Sequence, residues 1–214
     1  SIRQKIEIVT KCGIELTSLN PSAKVNHYDS SRQRIIESVN TSLSRLGTDY
    51  VDVLLLHRPD YLLDADDVAL AFNELKQAGK VKHFGVSNFT VHQMSLLQSR
   101  LDNTLVTNQI EINPFNLNIL DSGILESMQQ HRVKPMAWSC LAGGRIFSED
   151  TETATNLRRT LKQIAEEVGA SNLEQVLFAW VNKLPSRPVP IVGSGKIERV
   201  KSAVQSLQLS LTQD

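Results

Sequence analysis

Apolar residues in this chain alternate between two rhythms. The clearest example of the first is Val51-Asp-Val-Leu-Leu-Leu56, bracketed by Gly47 and Pro59 and followed directly by His57. It is too short for an isolated helix, and its nearly unbroken apolar character predicts a strand buried on both faces, as in parallel sheets. Similar runs predict strands over residues 5–10, ending at Lys11, Cys12 and Gly13, and over 81–86, running into Ser87, Asn88 and Phe89. Others are predicted over 105–110, with Asn108 and Gln109 at the end, over 134–139, and over 189–192.

Between these runs the second rhythm places apolar residues three and four apart, which predicts helices. Ser30 or Ser31 caps the first, whose stripe is Ile35, Ile36, Val39, Leu43 and Leu46 and which Gly47 ends. A second covers 64–78, with Val68, Ala71, Phe72 and Leu75 inward and Gly79 as the stop. Thr90 caps a third carrying Met94, Leu97 and Leu101, and further helices are predicted over 119–131 and 156–168. Ser171-Asn-Leu-Glu174 has capping-box spacing and opens a helix to Lys183; the last helix covers 196–207. Residues 15–28, broken at Asn20-Pro21, read as a loop, as do Ala142-Gly-Gly-Arg145 and the polar stretch to Thr153.

Strand and helix thus alternate six times, with one extra helix before the last strand. Strict alternation predicts an α/β fold with a parallel sheet covered by helices. A complete (β/α)8 TIM barrel needs eight units and about 250 residues. The expectation is therefore an incomplete barrel, roughly strands three to eight, forming a single domain over 1–214 and truncated at both ends. Two units are expected before Ser1, and the C-terminal helix is expected to be cut short at Asp214.

Composition narrows the partners. Lys plus Arg and Asp plus Glu are 23 each, so no net positive field draws the chain to nucleic acid. No apolar run is long enough to span a membrane and no signal peptide opens the chain. Cys12 and Cys140 lie far apart without metal-ligand spacing, so neither a metal nor a structural disulfide is expected, and a reducing cytoplasm is the default. No obligate protein partner is inferred.

The predicted strands end in Lys11, His57, Ser87 with Asn88, Gln109, Trp138 with Ser139, and Gly193 with Ser194. In a β/α barrel that end is the active face. The opposite ends are expected to carry no such set. Each residue has a plain alternative. Lys11 is either solvated or placed to acidify a neighbouring phenol or thiol. His57 is either a satisfied core histidine or a donor to a carbonyl oxygen. Ser87 and Asn88 either read an amide or cap the next helix, and Gln109 shares that ambiguity. Trp138 is either core or a platform for a flat ring. Gly193-Ser194-Gly195 joins a strand to a helix, where backbone N–H groups and the helix dipole favour an anion; Lys196 and Arg199 on the first turn suit such a ligand.

In this order the residues resemble the aldo-keto reductase superfamily. The matching motifs are Val9-Thr-Lys11-Cys-Gly13, Asp52-Val-Leu-Leu-Leu-His57, Phe84-Gly-Val-Ser-Asn-Phe89, Thr107-Asn-Gln109, Ala137-Trp-Ser-Cys-Leu141 and Pro190-Ile-Val-Gly-Ser-Gly-Lys-Ile-Glu-Arg199. The pattern is similar to a bacterial subgroup with a Gly-Gly-Arg loop after the seventh strand. The resemblance implies a (β/α)8 barrel that uses NADPH to reduce aldehydes and ketones to alcohols, with Lys11 and His57 in the catalytic set. It implies that Ser87, Asn88 and Gln109 hold the carboxamide and that Trp138 lies under the nicotinamide ring. Ser139, Leu141, Gly143 and Arg145 would cover the pyrophosphate. Gly193, Ser194, Gly195, Lys196 and Arg199 would take the 2′-phosphate end.

Two departures are plain. The family's catalytic Asp and Tyr belong to a motif on its second strand, and nothing before Lys11 supplies it; Tyr28, Tyr50 and Tyr61 sit outside such a motif. Ser202 and Ala203 stand where the family carries a glutamate and an asparagine against adenine. Without the proton donor, the chain is expected to reduce carbonyls poorly. The alternatives are a non-catalytic nicotinamide-nucleotide-binding or regulatory module and, more weakly, a phosphate-ester enzyme using only the 193–199 cradle.

Overall fold

A computed structural model describes residues 2–18, 20 and 23–212. Pro21, part of the expected loop breaker, and Ser1 and Asp214, the expected truncation points, lie outside the described residues. The chain forms two compact units, Ser1–Gln109 and Ile110–Asp214.

The first unit runs from β1 (Val9–Cys12) through β2 (Ile14–Glu15) and β3 (His27–Tyr28) to α1 (Arg32–Leu46). It continues with β4 (Val51–Leu56), α2 (Ala65–Gln77), β5 (Val81–Ser87), α3 (Val91–Gln98) and the opening residues of β6 (Asn108–Glu111). The long strands lie in the order β1, β4, β5, β6, and all pairs are parallel. Parallel neighbours need a crossover to return the chain, and the helices supply it. The register sets Cys12 beside Leu56, Leu56 beside Val86, and Ser87 beside Gln109, so β1, β4 and β5 finish close to one level, where β6 opens.

Helix stripes and strand faces make one core. Ile35 and Val39 of α1, Val68, Phe72 and Leu75 of α2, and Leu97 of α3 pack with Val51, Leu54, Leu56, Val81, Phe84 and Val86. The rings of Phe72 and Phe84 stack with centroids 4.1 Å apart. Each large side chain buried in this way stabilises the fold by roughly 1.5–3 kcal/mol before entropy is counted. Gly85 is required by close approach: a Cβ there would lie 2.7 Å from both Leu55 Cδ2 and the Thr107 carbonyl oxygen.

The strand starts are not bare, contrary to expectation. Asp52, the one acid in the β4 run, accepts hydrogen bonds from Ile8 N (2.9 Å) and Lys82 Nζ (2.9 Å) and pairs with Arg3 (2.7 Å). The Tyr50 ring carries the Arg3 guanidinium at 3.8 Å and Lys82 Nζ at 4.2 Å from its centroid. This clasp ties the beginnings of three strands together.

The second unit takes up the rest of β6. It continues with α4 (Asn118–Asp121), α5 (Ile124–Gln130), β7 (Met136–Trp138), α6 (Arg145–Ser148), α7 (Glu152–Val168), α8 (Leu173–Lys183), β8 (Val189–Pro190) and α9 (Ile197–Gln205). β7 and β8 are parallel, and Ile191 N extends the ladder to the Ala137 carbonyl at 2.8 Å. Ile112 N reaches the Trp138 carbonyl at 3.3 Å. Ile110, Ile112, Ala137, Phe178 and Val181 form one core; Ala142, Ile146, Leu161, Val176 and Leu177 form a second. No helix among the described residues is long and apolar enough to cross a membrane.

Several boundaries differ from the sequence reading. Of the two serines expected to cap α1, Ser31 does so. The expected loop over 15–28 holds the antiparallel pair β2–β3. The single helix over 119–131 is two, because Gly123 adopts φ 74° and breaks it. Asn108 and Gln109 open β6 rather than end it. Thr151 starts α7 earlier than 156, and Asn172 caps α8 in place of Ser171.

Backbone and cationic donors hold the Asp52 carboxyl well below the ordinary carboxylate range, the Ile8 N–H contributing most. A depressed folded pKa adds stability that is complete above the unfolded value and is lost as pH falls through the folded one. Asp52→Asn should lower stability near neutral pH by about 1–3 kcal/mol. The gap from the parent chain, read as urea midpoints, should stay constant at neutral pH and narrow below about pH 4. A gap that does not narrow would contradict the charged clasp.

Candidate functional site

In the first unit, parallel register brings polar groups to one set of strand ends. Lys11 lies in β1 beside Leu55, and His57 leaves β4 with its backbone N–H donating to the Cys12 carbonyl at 2.9 Å. Both side chains are half-buried. Burial lowers the ammonium pKa of Lys11, which has no carboxylate partner among the described residues. The imidazole of His57 is also below its ordinary value, first because of burial and then because of the positive charges of Lys11 and Arg58. A neutral imidazole near pH 7 can donate one hydrogen bond without carrying charge.

His57 follows Leu56 and Ser87 follows Val86, so the two leave neighbouring strands at the same level. Ser87 Oγ donates to the Gln109 carbonyl (2.9 Å), Asn88 Nδ2 donates to Ser87 Oγ (2.8 Å), and Asn88 N donates to the same carbonyl (2.9 Å). Asn88 has φ 59°, a left-handed conformation that asparagine tolerates. Ser87, only 1% exposed, is a lock; Asn88 is half-buried above it. Neither caps α3, because Thr90 and Gln93 form that capping box themselves.

Sequence reasoning did not assign a role to Asn108. It is buried and holds Phe89 at both backbone atoms: Phe89 N donates to Oδ1 at 3.4 Å, and Nδ2 donates to the Phe89 carbonyl at 2.8 Å. An asparagine beside an apolar run was the available signal.

In the second unit, Trp138 ends β7 and Ser139 turns the chain with φ 55°. The Ser139 carbonyl accepts from Ala142 N (2.7 Å) and from Nδ2 of the buried Asn113 (3.0 Å). A cavity of about 720 Å³ opens beside this loop, within the usual range of roughly 300–1,000 Å³ for small-molecule sites. Ser139, Leu141, Gly143, Gly193, Ser194 and Arg199 line it, as expected. Ser202, noted at the family's adenine position, lines it too; Phe147, Asn172, Glu174, Phe178 and Glu198 also do, and sequence reasoning found none of these five as site residues. Cys140 borders the cavity with its thiol pushed up to about 11 by burial.

Four expected residues are absent from the lining: Trp138, Arg145, Gly195 and Lys196. Arg145 is engaged elsewhere, with Glu149 at 2.5 Å and its guanidinium 5.5 Å from the Phe115 ring. Lys196 is the N-cap of α9, and its N–H donates to Ser194 Oγ at 3.2 Å. No side chain caps α9, so first-turn N–H groups remain available beside the cavity. A Cβ at Gly193 or Gly195 would meet nothing within 4 Å, so nothing in the chain itself requires glycine there. Arg199 forms no ion pair among the described residues. An uncapped helix start, a free guanidinium and open space fit a phosphate-bearing group. Ala203 is buried in the core and does not reach the cavity, whereas Ser202 does.

Strand-end lysine and imidazole on a parallel α/β scaffold, and an anion cradle at a strand-to-helix turn, describe a barrel-type enzyme scaffold with a nucleotide-like site. Comparison with known proteins makes the class specific. Residues 1–214 match the Aldo/keto reductase family, and the chain belongs to that family. It is 54% identical to Oxidoreductase YdhF of Escherichia coli over 211 residues, 99% of this chain and 70% of that protein. It is 43% identical to a 6-dehydroglucose reductase of Agrobacterium fabrum, over 98% of this chain and 70% of that one. A crystal structure of the thermostable aldo-keto reductase Tm1743 with the inhibitor epalrestat superposes with a TM-score of 0.77 at 27% identity, covering 86% of this chain and 64% of that one. The fold is thus that of an incomplete (β/α)8 barrel, and the function class is oxidoreductase.

The charge coupling within the first unit is open to measurement. Lys11→Met removes a cation that disfavours the imidazolium, so the His57 pKa should rise. Its ring signals, followed by NMR titration, should move to higher pH in the variant. An unchanged midpoint would show that burial and Arg58 depress it without Lys11.

Proposed function

We propose that the protein reduces aldehydes or ketones to alcohols with NADPH, as part of one barrel domain working in a reducing cytoplasm. The single observation that carries this is the pairing of Lys11 with His57 at adjacent strand ends, both half-buried and both shifted toward their neutral forms. When bound, the nicotinamide nucleotide supplies the hydride. His57 donates a hydrogen bond to the substrate carbonyl oxygen and orients it. Lys11 lowers the pKa of a proton-donating group. Asn88 and Gln109, locked by Ser87, hold the carboxamide, and Trp138 lies against the nicotinamide ring. Ser139, Leu141 and Gly143 would cover the pyrophosphate, and Gly193, Ser194 and Arg199 would take the 2′-phosphate. The Arg199 cation at this end favours NADPH over NADH.

The proton donor is the weak part of the chemistry. Tyr50 is held in the clasp at the opposite strand end, Tyr28 lies in the β2–β3 pair, and Tyr61 is 98% exposed. In this reading the 214-residue chain therefore turns over slowly. The same observation favours a second reading, a nicotinamide-nucleotide-binding or regulatory module without turnover. Carbonyl substrates to try first include oxidised sugars, given the name of the Agrobacterium relative.

Binding and turnover separate the possibilities. NADPH should quench tryptophan fluorescence in the parent chain but not in Trp138→Phe, where Trp180 remains as a control. Arg199→Ala should weaken NADPH binding roughly tenfold while changing NADH little, the effect of losing one charge-assisted contact to phosphate. Carbonyl-dependent NADPH oxidation, even if slow, favours the reductase; binding with none favours the module. Failure of any nicotinamide nucleotide to bind would end both.

A further inference from the structure

One end of the second-unit cavity carries a carboxylate that suits no phosphate. Glu174, on the first turn of α8, is half-buried, lines the cavity and makes no ion pair or hydrogen bond among the described residues. Beside an anion cradle its charge repels a polyanion. Such a group is tolerable if the ligand turns a neutral hydrogen-bond donor toward it.

The surroundings match a purine base. Ser202 lies one turn beyond Arg199 on α9 and lines the same cavity. Its Oγ accepts from Asn172 Nδ2 at 2.8 Å, and its carbonyl accepts from Gln175 Nε2 at 3.3 Å. Asn172 is itself fixed, because its Oδ1 accepts from Gln175 N at 3.0 Å as the cap of α8. The hydroxyl's accepting side is therefore used and its proton is left to donate. Phe147 of α6, 37% exposed, adds an aromatic wall. Phe147, Asn172 and Glu174 also border a shallower groove of about 430 Å³, so this end opens outward.

We infer that Glu174 is a specificity-determining residue that selects an adenine base in the bound nucleotide. Its carboxylate accepts from the exocyclic 6-amino group, Ser202 Oγ–H donates to N7, an acceptor that adenine and hypoxanthine share, and Phe147 packs on the ring face. A 6-oxo purine presents an acceptor to the carboxylate instead and is disfavoured by lone-pair repulsion and an unpaired buried charge. The inference rests on the nicotinamide-nucleotide reading and adds base selection to it.

The test compares NADPH with its hypoxanthine analogue, deamino-NADPH, by calorimetry on the 214-residue chain. The parent should bind NADPH at least about tenfold more tightly, the discrimination expected when a site built for a donor loses it. Glu174→Gln should reduce that preference to about twofold or less, because an amide can turn either its oxygen or its NH₂ to the base. Ser202→Ala should weaken both nucleotides alike. Tight NADPH binding without base preference in the parent chain would overturn the inference and leave the function standing; this comparison needs no variant to fold. A preference that survives in Glu174→Gln would also overturn it. Binding of neither nucleotide would overturn both.

Discussion

Lys11, His57, Ser87 and Gln109 are scattered through the first half of the sequence. They become neighbours because β1, β4, β5 and β6 run in one direction, with the ends of β1, β4 and β5 level with the opening of β6: Cys12 by Leu56, Leu56 by Val86 and Ser87 by Gln109. Parallel pairing forces every return through a helix, and each helix must bury a stripe on the sheet. The core of Val51, Leu54, Phe72, Phe84 and their neighbours therefore does more than stabilise. It fixes which residues occupy the strand ends. A one-residue slip of β4 would move His57 out of level with Ser87 and turn its apolar set over.

The two ends of these strands treat charge in opposite ways. At the starts, Asp52 is surrounded by donors and two cations, and its carboxyl is correspondingly acidic. At the finishes, Lys11 and His57 are half-buried without a carboxylate, and both lean toward the neutral form. The first arrangement stabilises the fold. The second costs stability, because burial penalises each charged form and the Lys11 cation raises the penalty on the imidazolium. A scaffold that satisfies charge at one end and withholds compensation at the other concentrates reactivity where strands give way to loops.

Periodicity made most of the elements legible, because burial on a sheet or under a helix imposes the 2.0 and 3.6 repeats directly. Gly47 at the end of α1 and Thr90 at the start of α3 were equally readable. The errors came where local chemistry competed with the pattern. Gly123 interrupts an apolar stripe that otherwise spans 119–131, and Asn172 outcompetes Ser171 as a cap. Asn108 and Gln109 sit at the right level but at the opening of their strand, because the ladder begins only where β5 is about to end. Motifs found the loop and cradle residues of the second-unit cavity. They missed Phe147, Asn172 and Glu174, which come from two helices and share no local signature. Arg145 and Lys196 belong to the right segments, yet a glutamate holds one and the other stands at the N-cap position of α9 outside the cavity lining.

The cavity's charges also bear on how tightly a phosphate-bearing ligand would be held. Arg199 and the uncapped start of α9 attract phosphate, while Glu174 and Glu198 oppose it. Glu198 sits on the first turn, where it favours the helix dipole and so stabilises α9 before any ligand arrives. An anion binding there must compete with that carboxylate, which is exposed and screened by water and salt. Glu174 is half-buried and less screened, so its repulsion is harder to escape unless the ligand satisfies it. The arrangement thus trades phosphate affinity for discrimination: one acid holds the helix at small cost, and the other penalises any ligand whose uncharged end cannot donate to it.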